Sequence, residues 1–362
     1  MKYFLILLLI INTGLNTNAQ NLIGFTRALN SFYVFDNGTF QQLEHRPVKS
    51  FEEGAFYLAY INDKSEFRIY KDGRSHYLDE GSFVNDYTTT NYLMTFLKEN
   101  QLNVWDNNRI RVLTTWVGDY TVTDSLVTYY DDLLKSFRVY YNNRIYNLEP
   151  FQNVYPVLAH KTGKNILAYI DRNNNFNIFY NGVNQLITRL YNIINFDAGR
   201  DIVAYEGENE MQFRFFYKGN IYDVEEIKPL DFQAGDEIVA YTDAVGNFKI
   251  FDKGTLHTIS RFSPSFYDVK DDIVIFADTL NYFSVYSNGK TIKLEEVQPR
   301  NYLADLGNVA YLDFQGRLKI FTEGKVHIVS YERVENYRLR GNVLVYETGS
   351  LTGNIWYKGN VY

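Results

Sequence analysis

The sequence predicts an all-β chain built by tandem repetition, and three observations carry that prediction. A phrase made of a strand, a glycine or asparagine, and a second strand returns about every 35 residues. The composition is rich in Tyr (32) and Phe (27) and poor in Pro (6), which favours strands over helices. No segment shows apolar residues at helical spacing over a useful length.

The repeat is read from the residue closing each phrase: Gly38, Gly73, Asn108, Asn143, Gly182, Gly219, Gly254, Gly289, Gly324 and Gly359. Seven of the nine intervals are 35 residues, and the two longer ones, 39 and 37, lie near the middle. Before each anchor runs an alternating strand such as Phe248-Lys249-Ile250-Phe251. The anchor itself sits in a tight turn, where Gly and Asn tolerate positive φ. Five positions on, an aliphatic residue recurs (Leu43, Leu78, Leu113, Leu148, Ile187, Val224, Ile259, Leu294, Val329), so each unit contains a β-hairpin. About 13 residues past the anchor an aromatic such as Phe51, Phe232, Tyr267, Tyr302 or Tyr337 marks a third short strand. A fourth carries phrases such as Val239-Ala240-Tyr241, with a small central residue in six of ten copies. A polar turn, as in Asp243–Asn247, leads into the next anchor strand.

Four short antiparallel strands repeated around an axis make a β-propeller, and nine or ten small blades are expected. Thirty-five residues is short for a blade, so a β-solenoid or open hairpin array, or two five-unit propellers joined near residues 144–219, stand as alternatives. The chain starts within a Val-Ala-Tyr-type strand and stops three residues past the tenth anchor, so the units do not close cleanly by counting. Lys2, the apolar run Tyr3–Ile11 and the small-residue site near Ala19 read as a secretory signal peptide over residues 1–19. That leaves one repeat domain over 20–362, with no span after cleavage. An exported chain in the periplasm, at the cell surface or in the medium is the expectation.

The chain has no Cys, which excludes disulfides, thiolate metal sites and a cysteine nucleophile. The formal net charge of −7 argues against nucleic acid or an anionic membrane as partner. In unit length and strand-Gly-strand hairpin the repeats resemble bacterial propeller-type repeats and, loosely, WG-type β-repeats. The defining Trp-Gly pair is absent, as are WD, kelch and NHL signatures, so the resemblance implies architecture and assigns no functional residue.

Candidate chemistry is read column by column. Six positions past the anchor stand Glu44, Asp79, Thr114, Glu149, Thr188, Glu225, Ser260, Glu295 and Ser330, all with side-chain oxygens. A ring of acceptors for cations or a basic partner is one reading, and turn caps repeated in every unit the other. His76, His257 and His327 share the position three past the anchor in separated units, which reads as a variable strand position rather than a metal or base site. Asp171–Asn175 superficially matches a calcium loop but has Phe176 where glycine is needed, and reads as a hairpin turn. Adjacent acids (Glu52-Glu53, Asp131-Asp132, Asp271-Asp272) face opposite ways on a strand, so no doublet is itself a glycosidase pair. Asp124-Ser125-Leu126 and Asp278-Thr279-Leu280 resemble an O-glycosylation motif of some Gram-negative bacteria.

The third unit diverges most, with Thr95 in place of an aromatic, Asn108 as anchor, and Trp105 and Trp116 in its neighbourhood. The two tryptophans are the candidate binding residues, for sugar or protein contact, or they fill gaps in altered packing. The sequence offers no catalytic, cofactor or metal motif. It therefore favours a non-enzymatic exported propeller binding a protein or glycan at the cell envelope. A carbohydrate-active enzyme with carboxylates drawn from different blades is the alternative.

Overall fold

The computed structural model describes residues 21–27, 31–79, 84, 86–150, 157–189, 193–207, 212–349 and 351–362. The segment read as a signal peptide lies outside them. The described strands form ten antiparallel sheets, numbered here as blades 1–10 in chain order.

Blade 7 shows the pattern. A four-residue inner strand (Asp231–Ala234) pairs with Ile238–Thr242, then Phe248–Asp252, then an outer strand Thr255–Ser260. Short strands of four to seven residues joined by tight turns are how 35 residues suffice for four strands. The hairpin before each outer strand is a two-residue turn with both residues at positive φ: 47° and 96° at Lys253-Gly254, 48° and 64° at Asn107-Asn108. These are type I′ turns, whose twist matches that of the flanking strands. The polar turn between the second and third strands is held by one carboxylate. Asp243 Oδ1 accepts the Val245 and Asn247 N–H groups, and Asp171 does the same for Asn173 and Asn175. The calcium-like stretch is thus a hairpin turn.

The second strand of blade 7 is buried along its whole length and the outer strand is mostly exposed. The middle strands are sandwiched between neighbouring blades on both faces, so their sequences are near-continuous apolar runs. Between blades a three-ring motif recurs. The first aromatic of one blade's third strand meets the inner-strand aromatic and the second-strand aromatic of the next. Phe213 lies 4.9 Å from Phe232 and 5.1 Å from Tyr241, and Phe248 lies 5.3 Å from Tyr267 and 5.4 Å from Phe276. The same contact joins Phe32 to Phe51 and Tyr60, Phe67 to Tyr87 and Phe96, Phe176 to Phe196 and Tyr205, and Phe283 to Tyr302 and Tyr311. The high aromatic content is therefore mortar between blades. The small-residue column has the same cause: a Cβ on Gly24 would come within 2.5 Å of Leu58 in the adjacent blade.

Apolar packing runs through every junction, including that between blades 5 and 6, and closes with Ile23, Phe25 and Phe35 of blade 1 against Val343, Val345, Ile355 and Tyr357 of blade 10. The molecule is one ring of ten blades, which sets aside nine blades, the open array and the pair of five-unit rings. Closure is by face-to-face packing. Blade 1 has three described strands and blade 10 four of its own, the last only Asn360–Val361. One sequence reading is corrected here. Thr95 pairs with Val104 as Ala59 pairs with Ile69, so it occupies the small-residue column, and Phe96 keeps the aromatic.

Candidate functional site: the braced mouth and the two faces of the ring

The inner strand of blades 2 to 10 is a sheet edge facing the central channel, with N–H groups that lack strand partners. Polar side chains of the preceding blade supply acceptors. Glu52 accepts the Thr89 N–H at 2.7 Å, Asp197 that of Ala234 at 2.8 Å, and Gln233 that of Val269 at 2.9 Å. Asp271 and Asp305 accept the Leu306 and Gly341 N–H groups, each at 2.6 Å. Glu53 turns the other way, to the Gly24 N–H at 3.1 Å and to Arg338. The Glu52-Glu53 doublet thus serves two different blades, as alternation along a strand requires.

The turns joining first and second strands meet at one mouth of the channel. Through blades 4 to 8 they bond to one another directly: Ser125 N–H to Lys164 C=O at 3.0 Å, Lys164 to Gly199 and Arg200 to Gly235 at 3.1 Å, Asp236 to Asp271 at 2.5 Å. Glycine is required at this approach, since a Cβ on Gly199 would sit 1.7 Å from the Gly235 carbonyl. Side chains then cross the opening. Lys164 bonds Asp236 at 2.8 Å and also Asp271, three blades away. Arg200 bonds Asp236 at 3.2 Å and Asp124 at 3.1 Å. Asp124 accepts the backbone and side-chain N–H groups of Asn91, whose own oxygen accepts from Arg340 at 3.1 Å. Arg340 also reaches the Glu53 carbonyl at 2.7 Å and Asp305 at 3.6 Å.

Three cations thus hold four carboxylates. Burial pushes the Asp236 carboxyl up, with Lys164 and Arg200 opposing and Asp271 adding to the rise. Burial likewise pushes Asp305 up, against Arg340 and the Gly341 N–H. Burial works against charge on Lys164 too, but Asp271 and Asp236 outweigh it and its ammonium is held above the ordinary value. Sequence reasoning missed this network. Its signal was the column four residues before the small position: Ala55, Asn91, Asp124, Lys164, Arg200, Asp236, Asp271, Leu306, Gly341. The column is variable, so it leaves no mark in the repeat pattern.

The constant column six past the anchor divides by residue type. Ser260, Ser330 and Thr114 hydroxyls cap the N–H two residues on. The carboxylates instead reach the next blade: Glu225 accepts from Tyr241 at 2.7 Å and Lys249 at 2.6 Å, Glu295 from Tyr311 at 3.1 Å and Lys319 at 2.5 Å, Glu44 from Tyr60 at 3.2 Å. Burial, then the neighbouring Glu44, push Tyr60 up to about 12, with Ser75 and Arg68 opposing. After Ser260 the next blade offers Phe276, which has no hydroxyl to receive.

Because strands alternate in direction, each blade sends its inner turn and its hairpin turn to one face, and its polar turn and inter-blade linker to the other. The contacts agree: Lys253 N–H bonds the Glu237 carbonyl on the first face, and Ser263 bonds the Gly246 carbonyl on the second. The linker face carries Val245, Phe262, Leu280, Val297, Phe314 and Tyr331, one every 17 or 18 residues and all 51–93 % exposed.

Of the candidate binding residues, Trp105 is 5 % exposed, 4.7 Å from Tyr57, and belongs to the core between blades 2 and 3. Burial gives it the gap-filling role. Its edge forms the floor of a depression of about 270 Å³ with His76 and Lys71, which does not include Trp116. Trp116 is 56 % exposed on the linker from blade 3 to blade 4. His257 and His327 repeat the His76 placement, 5.8 Å from Tyr286 and 5.6 Å from Trp356 of the following blades. Of the two glycosylation-like triplets, Asp124 lies in the mouth, and Asp278 holds a turn through the Leu280 and Tyr282 N–H groups. No group of three or more metal-ligating side chains occurs among the described residues.

A family model, the 10-bladed beta propeller domain, matches residues 16–362. The chain belongs to that family. Among solved structures, the computationally designed Ika8 protein aligns over 93 % of this chain and 99 % of its own at 12 % identity and TM-score 0.36. The CRINKLY WD40 ectodomain of the Arabidopsis thaliana receptor kinase ACR4 aligns over 66 % and 93 % at 10 % identity and TM-score 0.37. Prp20p of Saccharomyces cerevisiae aligns over 64 % and 81 % at 8 % identity and TM-score 0.31. Likeness at this level carries no argument about ligands. No curated protein matches the sequence.

Proposed function

We propose that this propeller is an exported, non-enzymatic binding module of the cell envelope that engages a protein partner through its linker face. The observation that carries the reading is the run of protruding apolar side chains from Val245 to Tyr331 on successive turns and linkers of one face. Exposed apolar side chains gathered on one face in this way mark an interaction surface. Charges of both signs stand beside these tips (Glu296 and Arg300 around Val297, Glu332 and Arg333 after Tyr331). Mixed charge suits a protein surface better than an anionic lipid or polymer. The carboxylates that converge at the channel mouth act as cross-braces, each bonded to a cation or a neighbouring N–H.

Two measurements test the reading. The purified protein is incubated with a polysaccharide panel; turnover abolished by a single Asp or Glu substitution would overturn the non-enzymatic role. Envelope proteins arrayed individually are then probed with wild type and with the double variant Phe262→Asp, Phe314→Asp. At least tenfold weaker binding by the variant is expected. Equal binding by both would remove the linker face from the proposal.

A further inference from the structure

The hairpin face differs from the linker face in the residues that flank its ten anchors. One cation stands beside the anchor in eight of the ten turns. It follows the anchor in Arg74, Arg109, Arg144, Lys290 and Lys325, and precedes it in Lys218, Lys253 and Lys358. No turn has both. All eight side chains belong to exposed residues, and only Asp72 and Glu323 are acids among the twenty flanking positions. A chain of net charge −7 therefore carries a positive rim on one face.

Two physical points separate this rim from ordinary surface charge. Lysine within an outer strand guards its edge against pairing, but three of the eight cations are arginine, and three of the lysines precede the first residue of the outer strand. The three preceding lysines also sit at φ of 47–49°, a left-handed position that favours Asn or Gly and costs other residues about 1 kcal/mol. Asn fills the same position in units 1, 3, 4, 5 and 8. Lysine replaces it in three turns whose following residue, Asn220, Thr255 or Asn360, is uncharged. What the turns share is one cation each, wherever it can be placed. Lys218 pairs with Glu237 at 2.5 Å and Lys253 with Asp272 at 3.8 Å. The other six have no ion pair among the described residues.

We infer that the hairpin face binds an acidic polysaccharide, through single cations presented blade by blade around the rim. Positive charge spread along a rim attracts a polyanion over about a Debye length. A flexible chain can follow a curved rim, whereas duplex DNA, stiff over about 50 nm, would meet it only along a chord. Single-stranded nucleic acid is gripped by aromatic platforms beside the cations, and no anchor-flanking position is aromatic. This site is independent of the apolar linker face.

The test uses polygalacturonate as probe, with neutral dextran and oligo-dT as comparators, at 50 and 150 mM salt. Wild type is expected to bind polygalacturonate, more weakly at the higher salt, and to ignore dextran. The variant Lys253→Gln, Lys290→Gln, Lys325→Gln, Lys358→Gln is expected to lose at least tenfold in affinity with its circular dichroism and Tm preserved. A matched linker-face variant (Lys228→Gln, Arg261→Gln, Arg300→Gln, Arg333→Gln) and Phe262→Asp, Phe314→Asp should bind as wild type does. No binding at 50 mM salt, equal loss in the linker-face cation variant, or tighter binding of oligo-dT would each overturn the inference.

Discussion

The two faces of this ring are made by the same repeat, yet they carry opposite chemistry. The hairpin face gathers cations at its rim and a lattice of ion pairs at the channel mouth. The linker face gathers apolar tips. The difference arises because an antiparallel blade sends its first and third turns one way and its second turn and linker the other. A substitution in one column of the repeat therefore changes one face and leaves the other alone. The contrast shows that function in a repeat protein can be written in columns whose positions the fold keeps exposed.

The comparison breaks most completely if the mortar between blades is removed, since both faces depend on it. Phe213→Ala deletes a fully buried ring packed on Phe232 and Tyr241. Loss of about 3–5 kcal/mol is expected, read by denaturant unfolding. Next comes the mouth, which only the hairpin face possesses. Lys164→Ala leaves Asp236 and Asp271 without their shared ammonium, and a loss of about 2–3 kcal/mol is expected for a pair that keeps some solvent contact. Burial already pushes Asp236 up in the folded state, so it takes up a proton at higher pH than an ordinary carboxylate. The penalty of Lys164→Ala should therefore shrink as pH falls from neutrality toward about 4. A penalty unchanged over that range would show that the mouth carboxylates do not govern it.

On the linker side the counterpart is Asp243→Ala, which strips the turn of the acceptor for the Val245 and Asn247 backbone N–H groups, the Asn247 side-chain amide and the Lys249 ammonium. A loss of about 1–3 kcal/mol at pH 7 is expected. Burial alone would raise this carboxyl, but hydrogen bonds from Asn247, Lys249 and the backbone win and lower it from 3.8 to about 2. The wild-type advantage is thus present above pH 4 and lost as pH falls toward 2, so the two unfolding curves should converge there. Tyr241→Phe, which removes one inter-blade bond to Glu225, should cost about 1 kcal/mol. The smallest effect sharpens the comparison most. Lys253→Asn should raise stability by no more than about 1 kcal/mol, because Asn accepts left-handed φ more readily. In calorimetry it should nevertheless weaken polygalacturonate binding.

Much of the fold was legible in the residues. Gly and Asn at the ten anchors announce type I′ turns, and the phrase Val239-Ala240-Tyr241 announces a strand buried on both sides. The mouth was not legible. Lys164 and Arg200 stand in a column that varies from blade to blade, Arg340 stands one position before it, and their partners lie as many as three blades off. Trp105 left two readings open in the sequence, binding or gap-filling, and its packing against Tyr57 favours the second.

The sequence alone determined the repeat, its strand content, its turn chemistry and its short blades, because these rest on contacts within about 35 residues. The tertiary structure decided the number of blades in one ring, closure by packing rather than by a shared sheet, and the meeting of distant charges at one mouth. Those depend on how far each sheet is rotated against the next, an angle set by side-chain volumes at every junction together and written in no single unit.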